Sequence, residues 1–167
     1  YAVQTGKLCP VGWHVPTDVD FQRMEMFIGM LPPDAASEGE RGIHLGDKLK
    51  SDGNSMWTYS SMVNPNNESG FTALPAGYRF YGNGLSLDLN NFAFIWTSDP
   101  YNSSKAWNRR LSYSSTKIGK GAWHNNEGYS VRCIKDSSQH TIVVPNLSTK
   151  PVTVTSYEFA HSGGDIS

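Results

Sequence analysis

The sequence predicts an α+β domain, and three observations predict it. Helical periodicity is confined to the early part of the chain, short β-branched and aromatic runs fill the rest, and cysteines stand at only two positions, 9 and 133. Helices followed by strands, without alternation, argue against a βαβ sheet, and no Rossmann or P-loop fingerprint occurs.

The first helix is expected over about 18–29, where Thr17 caps the start and Asp20 completes an acidic capping box. Phe21, Met24, Phe27 and Ile28 recur at helical spacing to form its apolar face, and Gly29 stops it. Pro32-Pro33 and the polar stretch to Arg41 read as a loop. Leu45 and Leu49 share one face of a short second helix ending near Asp52-Gly53, and these two helices exhaust the helical signal. Strands are expected at Phe71–Leu74, Tyr78–Tyr81, Phe92–Thr97, Ala106–Tyr113 and Tyr129–Ile134, short and joined by long loops. After Asp136 the texture changes. Thr141–Val144 and Val152–Tyr157 are β-branched runs joined by Pro145-Asn146-Leu147-Ser148, so the chain divides into a domain over 1–136 and a C-terminal β-hairpin or strand arm over 137–167.

At 167 residues the chain is long enough for one core that buries on the order of 70% of its unfolded surface. A net charge of −1 and no basic run longer than Arg109-Arg110 argue against nucleic acid as a partner. Charged residues make up 17% and aromatics 12%, a balance suited to amide-rich, aromatic contact surfaces. No apolar run has the length of a membrane span and Tyr1 follows no basic leader, which suggests a mature or excised fragment. Two cysteines and five scattered histidines do not make a zinc spacing. The cysteines read as one disulfide closing a long loop, stabilising by on the order of 4–5 kcal/mol and implying an oxidising compartment. The alternative is two buried free thiols.

Several stretches occur in a fixed order: Cys9-Pro10-Val11-Gly12-Trp13-His14-Val15-Pro16-Thr17-Asp18, Gly46-Asp47-Lys48-Leu49-Lys50, and Ser69-Gly70-Phe71-Thr72-Ala73-Leu74-Pro75-Ala76-Gly77-Tyr78-Arg79. Phe94-Ile95-Trp96-Thr97-Ser98, Ala106-Trp107 and Gly128-Tyr129-Ser130-Val131-Arg132-Cys133 follow. Over about 1–136 the chain resembles the Fibrobacter succinogenes major paralogous domain of bacterial surface and secreted proteins, common in Bacteroidota and Fibrobacterota. The resemblance implies a C-type-lectin-like fold, with helices in the first half and a twisted antiparallel sheet with long loops in the second. It also implies pairing of Cys9 with Cys133 and a place at the bacterial cell surface. Phe21 stands where family members usually carry Trp. Members usually begin with a strand-rich segment that these residues lack, so the 141–157 strands, or a strand-exchange partner chain, are expected to cover the sheet edge left open.

The segment 99–127 carries the candidate binding face. Tyr101, Asn102, Ser104, Trp123, Asn125 and Asn126 mix rigid aromatics with adaptable amides and hydroxyls, as binding loops do. Alternation along 106–113 places Trp107, Arg109, Leu111 and Tyr113 on one side and Asn108, Arg110 and Ser112 on the other. With Trp107 and Leu111 toward the core, Asn108, Arg110 and Ser112 are expected to meet the ligand. The plain alternative is a polar loop region. The stretch is also similar to the variable Asn/Ser/Tyr-rich positions of retroelement-diversified C-type-lectin-like proteins.

The expected function is thus extracellular, non-catalytic recognition or adhesion, with a protein or glycan as ligand. Calcium-dependent sugar binding is an alternative, although Glu-Pro-Asn, Gln-Pro-Asp and Trp-Asn-Asp are all missing and Trp107-Asn108-Arg109 puts a cation where a carboxylate belongs. Asp88, Asp99 and Glu127 are the remaining calcium candidates; no other cofactor is indicated. Trp57, Trp96 and Trp123 are candidates for stacking on sugar rings or for the core. A third reading is a structural subunit of a surface fibre. Enzyme chemistry is disfavoured: formylglycine-generating enzymes, of related fold, need a reactive cysteine pair, and His14, His44, His124, His140 and His161 suggest no triad. His14 reads as a packed structural group, and Asp20, Glu25, Glu38 and Glu40 as solvated carboxylates.

Overall fold

The computed structural model describes residues 2–53 and 56–136, together with the backbone of four short strands further on. The chain divides into two compact units, Tyr1–Asp136 and Ser137–Ser167. The first is α+β, with few helices and antiparallel sheets.

Helix α1 (Asp18–Phe27) starts as its capping signal requires. Thr17 Oγ1 accepts the Asp20 N–H at 3.1 Å, and the Asp20 carboxylate accepts the Thr17 N–H at 2.9 Å. Its buried face differs from the expected one. Phe21 and Ile28 are buried, but Phe27 is 90% exposed and Glu25 is fully buried. The reason is angular: at about 100° per residue, Glu25 lies about 40° from Phe21 around the axis and Phe27 about 120° away. The supposed loop after α1 contains a second helix, α2 (Pro32–Ala36), and a strand, β2 (Gly39–Arg41), while β1 (Trp13–His14) precedes α1. Proline is well placed in a first helical turn, so Pro32-Pro33 opens α2 instead of forbidding it. Helix α3 (Leu45–Leu49) is the expected short helix, ending earlier than Asp52.

Small strands β3 (Tyr78–Arg79) and β4 (Ser86–Leu87) pair with each other. The main sheet contains β5 (Phe92–Pro100), β6 (Lys105–Ser112) and β7 (Ile118–His124), in the antiparallel order β2-β7-β6-β5. Most of 99–127 is therefore the body of the sheet and not a loop region. Phe71–Leu74 forms no strand, only a bridge from Ala73 to Lys50. Of Tyr129–Ile134, Ser130 bridges β5 and only Ile134 enters a strand, β8 (Ile134–Lys135), which pairs with β1.

Both faces of the sheet are covered. Leu111, Ala93 and Ile118 pack with Leu45, Leu49 and Trp57 on one side. Phe94, Trp96, Ala106 and Tyr129 pack with Val3 and Val15 on the other, where Tyr129 stacks on Phe94 and Trp96 at 4.8 and 4.4 Å. Cys9 and Cys133 form a disulfide with Cα atoms 5.8 Å apart, which excludes the free-thiol alternative.

The ordered sequence stretches meet at this scaffold. Gly46 N–H reaches Thr116 O at 2.8 Å, in a space where a Cβ would stand 2.5 Å from Lys117 O. Lys50, wholly buried, donates to Ser115 O at 2.7 Å and to Asp47 Oδ1 at 3.2 Å. Burial draws its ammonium below the ordinary lysine range, against the pull of Asp47. Gly128 lies against Arg79, and the two exchange backbone hydrogen bonds of 2.9 Å.

In the second unit, β9 (Leu147–Thr149) pairs with β12 (Gly164–Ile166), and β10 (Thr153–Ser156) with β11 (Phe159–His161), all antiparallel. Leu147 and Ser148, read as a connection, belong to a strand. The expected strand Thr141–Val144, and His140, lie outside the described residues.

Candidate functional site

The candidate site grows from the hairpins of the main sheet. Between β5 and β6 the turn at 101–104 is held by Asn102, whose Oδ1 accepts the N–H groups of Ser104 and Lys105, both at 2.9 Å. Asn102 thus shapes the loop. The exit of β7 lies beside it: Asn125 N–H bonds Ser104 O at 3.0 Å and its side-chain amide reaches Ser103 O at 3.4 Å. Tyr101 stands edge-on to Trp107 with ring centroids 4.8 Å apart and is 49% exposed, and Asn126 is exposed next to Asn125.

On the sheet surface below, β7 carries Gly119 and Gly121 at consecutive positions of one face, opposite Arg110 and Asn108 of β6. Without side chains there, a slot of about 60 Å³ opens, bounded by Asn108, Arg110 and Trp123 and reaching Gly39 at the edge. Trp123 Nε1 sits 3.6 Å from where a Cβ on Gly121 would stand. Arg110 pairs with Glu40, whose other carboxylate oxygen accepts the Ser115 hydroxyl at 3.3 Å. A volume of a few tens of Å³ admits water or one polar group, not a whole ligand. The slot is therefore a place for the tip of something larger.

Two of the expected contacts need correction. Asn108 is 1% exposed and its amide is held by Gly121 O at 3.0 Å. Ser112 is also buried, its hydroxyl shared with Ser114 at 3.1 Å. The expectation takes one face of β6 as wet throughout, but α1 and α3 cover one side and the Tyr129 cluster much of the other, which stays open only at the slot. Tyr101, Ser104, Trp123 and Asn126 remain exposed, Asn125 and Arg110 partly so. Of the three tryptophans, Trp57 and Trp96 are core, and Trp123 is 44% exposed. The sequence does not signal Glu40 or Tyr81, which sets its ring 5.6 Å from that of His124; the Gly-Lys-Gly alternation before Trp123 is the one local sign of the slot.

The calcium candidates are not gathered together: among the described residues no three His, Cys, Asp or Glu side chains form a metal-holding group. Asp99 Oδ2 accepts the Asp18 N–H at 2.6 Å, and Glu127 Oε2 accepts the Tyr81 N–H at 3.1 Å. Asp88 sits in a left-handed turn whose carbonyl receives the N–H groups of Asn91 and Phe92. Glu25 is not solvated either. It bonds Arg41 Nη2 and Arg109 Nε, both at 2.6 Å. Asp18 joins this network through Arg109 at 2.8 Å and Lys120 at 2.7 Å. Burial pushes the Asp18 carboxyl up, but Lys120 and Arg109 outweigh it and hold it below its usual range. His14 is half-exposed and bridges Asp136 at 2.5 Å and Asp20 at 3.4 Å. No helix among the described residues is long and apolar enough to cross a membrane.

The family model of the Fibrobacter succinogenes major domain matches residues 1–135. Neither curated proteins nor solved structures supplied a match. The matched span contains the whole first unit but its last residue, with the disulfide, the packed motif stretches and the slot, and on that ground the chain belongs to the Fibrobacter succinogenes major domain family.

Proposed function

We propose that the chain is a non-catalytic recognition module of C-type-lectin-like fold, exposed on a bacterial cell surface. Its ligand, a protein or a glycan, meets the surface that runs from the 101–104 loop over Trp123 to Arg110. One observation carries this reading: Trp123, on the stretch of β7 beyond its pairing with β2, remains 44% exposed and lines the glycine slot together with Arg110. An exposed indole next to a guanidinium is the composition of binding hot spots, and the amides of Asn125 and Asn126 supply adaptable polar contacts around it. The disulfide supports an oxidising location. The non-catalytic part is supported by the engagement of both cysteines in that bond and of Asp18 and Glu25 in ion pairs.

A glycan array and a protein pull-down, each with calcium and with chelator, test the reading with the wild-type chain and Trp123→Ala/Arg110→Ala. Loss of the captured ligand with an unchanged thermal midpoint is expected; full retention in the double variant overturns it.

A second reading, a fibre subunit that exchanges strands, is favoured by one feature. Strand β2 pairs with β7 only from Ile118 to Lys120, so the outer edge of Gly121–His124 has no strand paired to it among the described residues. Concentration-dependent oligomers that vanish on truncation after Asp136 would support it, and a strictly monomeric chain would exclude it.

A further inference from the structure

We propose a second binding site, for a small apolar carboxylate, in the groove between α1 and the segment that leads into β8. The cavity measures about 290 Å³. Its walls are apolar: Phe21 and Met24 from α1, Phe71 from the segment after α3, and Ile134 from β8. A volume near the lower end of small-molecule pockets suits a single ring with a short chain, and favours a small molecule over an extended peptide.

The charge at its rim names the other half of the ligand. The Arg132 guanidinium lies 4.5 Å over the Phe71 ring, and no carboxylate pairs with it among the described residues. Arg23, on the opposite rim, is 73% exposed and among the described residues pairs only with Asp20, at 3.7 Å. Asp20 is itself occupied by the Thr17 amide and hydroxyl at 2.9 and 2.6 Å and by His14. The rim therefore has an excess of positive charge over an apolar floor. Arg132 offers its planar donors with its position already fixed by stacking, which is the arrangement that takes a carboxylate two-pronged. An arylalkanoate fills both requirements: ring against Phe21, Met24 and Phe71, carboxylate on Arg132.

The test is an NMR titration of the full chain with phenylpropionate, following the Met24 methyl and Phe71 ring signals, with phenylpropanamide and propionate as controls. Saturable shifts at both residues are expected, with affinity reduced about tenfold for the amide and in Arg132→Gln, the loss of one charged hydrogen-bonded contact. Met24→Trp, which fills the groove, should abolish the shifts of the Phe71 ring signals while the thermal midpoint and far-ultraviolet circular dichroism stay native, and Trp123→Ala should leave binding intact, which separates this site from the recognition surface. Absence of saturation, equal binding of acid and amide, or undiminished binding in a folded Met24→Trp variant overturns the proposal. Tighter binding of a short peptide ending in a free phenylalanine carboxylate overturns the small-molecule assignment in favour of a peptide terminus.

Discussion

Glu25 Oε1 accepts a hydrogen bond from Arg109 Nε at 2.6 Å, with the Glu25 side chain wholly buried and that of Arg109 3% exposed. The bond fastens α1 to the centre of the main sheet, and the second oxygen of Glu25 fastens it to Arg41 of β2. The guanidiniums of Arg41 and Arg109 and the Lys120 ammonium converge here on Glu25 and Asp18, so each carboxylate balances more than its own partner.

Glu25→Gln keeps the shape and removes the charge. Two guanidiniums would then be left in a dry space with too little negative charge around them, and stability should fall by about 3–5 kcal/mol. Urea unfolding should show a lower midpoint at unchanged slope. A loss below about 1 kcal/mol would mean that water reaches the pair.

The Cys9–Cys133 bond spans 124 residues of separation. Cutting it frees nearly the whole first unit in the unfolded state, so Cys9→Ser/Cys133→Ser should lose about 4–5 kcal/mol. The shift should appear in the unfolding midpoint, while β1 and β8 stay paired in the folded variant through Trp13 and Lys135. An unchanged midpoint would show that the reduced chain is already restricted when unfolded.

Gly77 has φ of +63°, and a Cβ there would stand 2.1 Å from Leu87 O, a backbone atom with little freedom to move. Gly53 has φ of +74° and open space around it. Alanine at 53 therefore meets only the left-handed backbone penalty of about 1–2 kcal/mol. Gly77→Ala should cost clearly more, because the turn at Leu87–Leu89 that follows β4 and the Gly77 N–H to Phe92 O bond of 2.8 Å must also shift. Equal thermal midpoints for the two variants would show that this turn yields easily.

What was legible in the sequence is what has a local cause. The Thr17–Asp20 box places the start of α1, and the long aromatic and β-branched runs place β5 and β6. Strand β7 escaped because Gly119 and Gly121 erase the side chains on which an alternating pattern depends, and the same absence opens the slot. Glu25 reads as solvated from the sequence because carboxylates seldom lie in a core, and its partners Arg41 and Arg109 come from 16 and 84 residues away. Asn108 and Ser112 show the limit of alternation: it tells which residues share a face, but only the packing around that face tells that Asn108 and Ser112 are covered while Arg110 stays partly exposed. Composition points to Trp123 and alternation along 106–113 to Arg110, and the register of β6 on β7, with Arg110 opposite Gly119 and Ala106 opposite Trp123, sets both on the face of the slot.

His14 ties β1 to the last residue of the first unit and to the start of α1, through Asp136 and Asp20. The hydrogen bond to Asp136 holds its pKa above the ordinary 6.5, with partial burial opposing and Asp20 assisting. Burial pushes the Asp20 carboxyl up, but the Thr17 bonds and His14 outweigh it and hold it below 3.8. Above the unfolded histidine pKa the folded chain retains the proton longer than the unfolded one, so the His14 contribution is complete below pH 6.5 and is lost as pH rises through the raised value. The Asp20 contribution has the opposite sign: it is complete above pH 3.8 and is lost as pH falls through the lowered value. Together they stabilise most between these limits, with Arg23, 3.7 Å from Asp20, as the other charge at the cluster. Thermal melts of wild type and His14→Gln should therefore differ most near pH 5–6 and converge in mildly alkaline buffer, and an imidazole titration by NMR should place His14 above 6.5. A midpoint difference that stays constant across that range would show that the imidazole acts by packing and not through its charge.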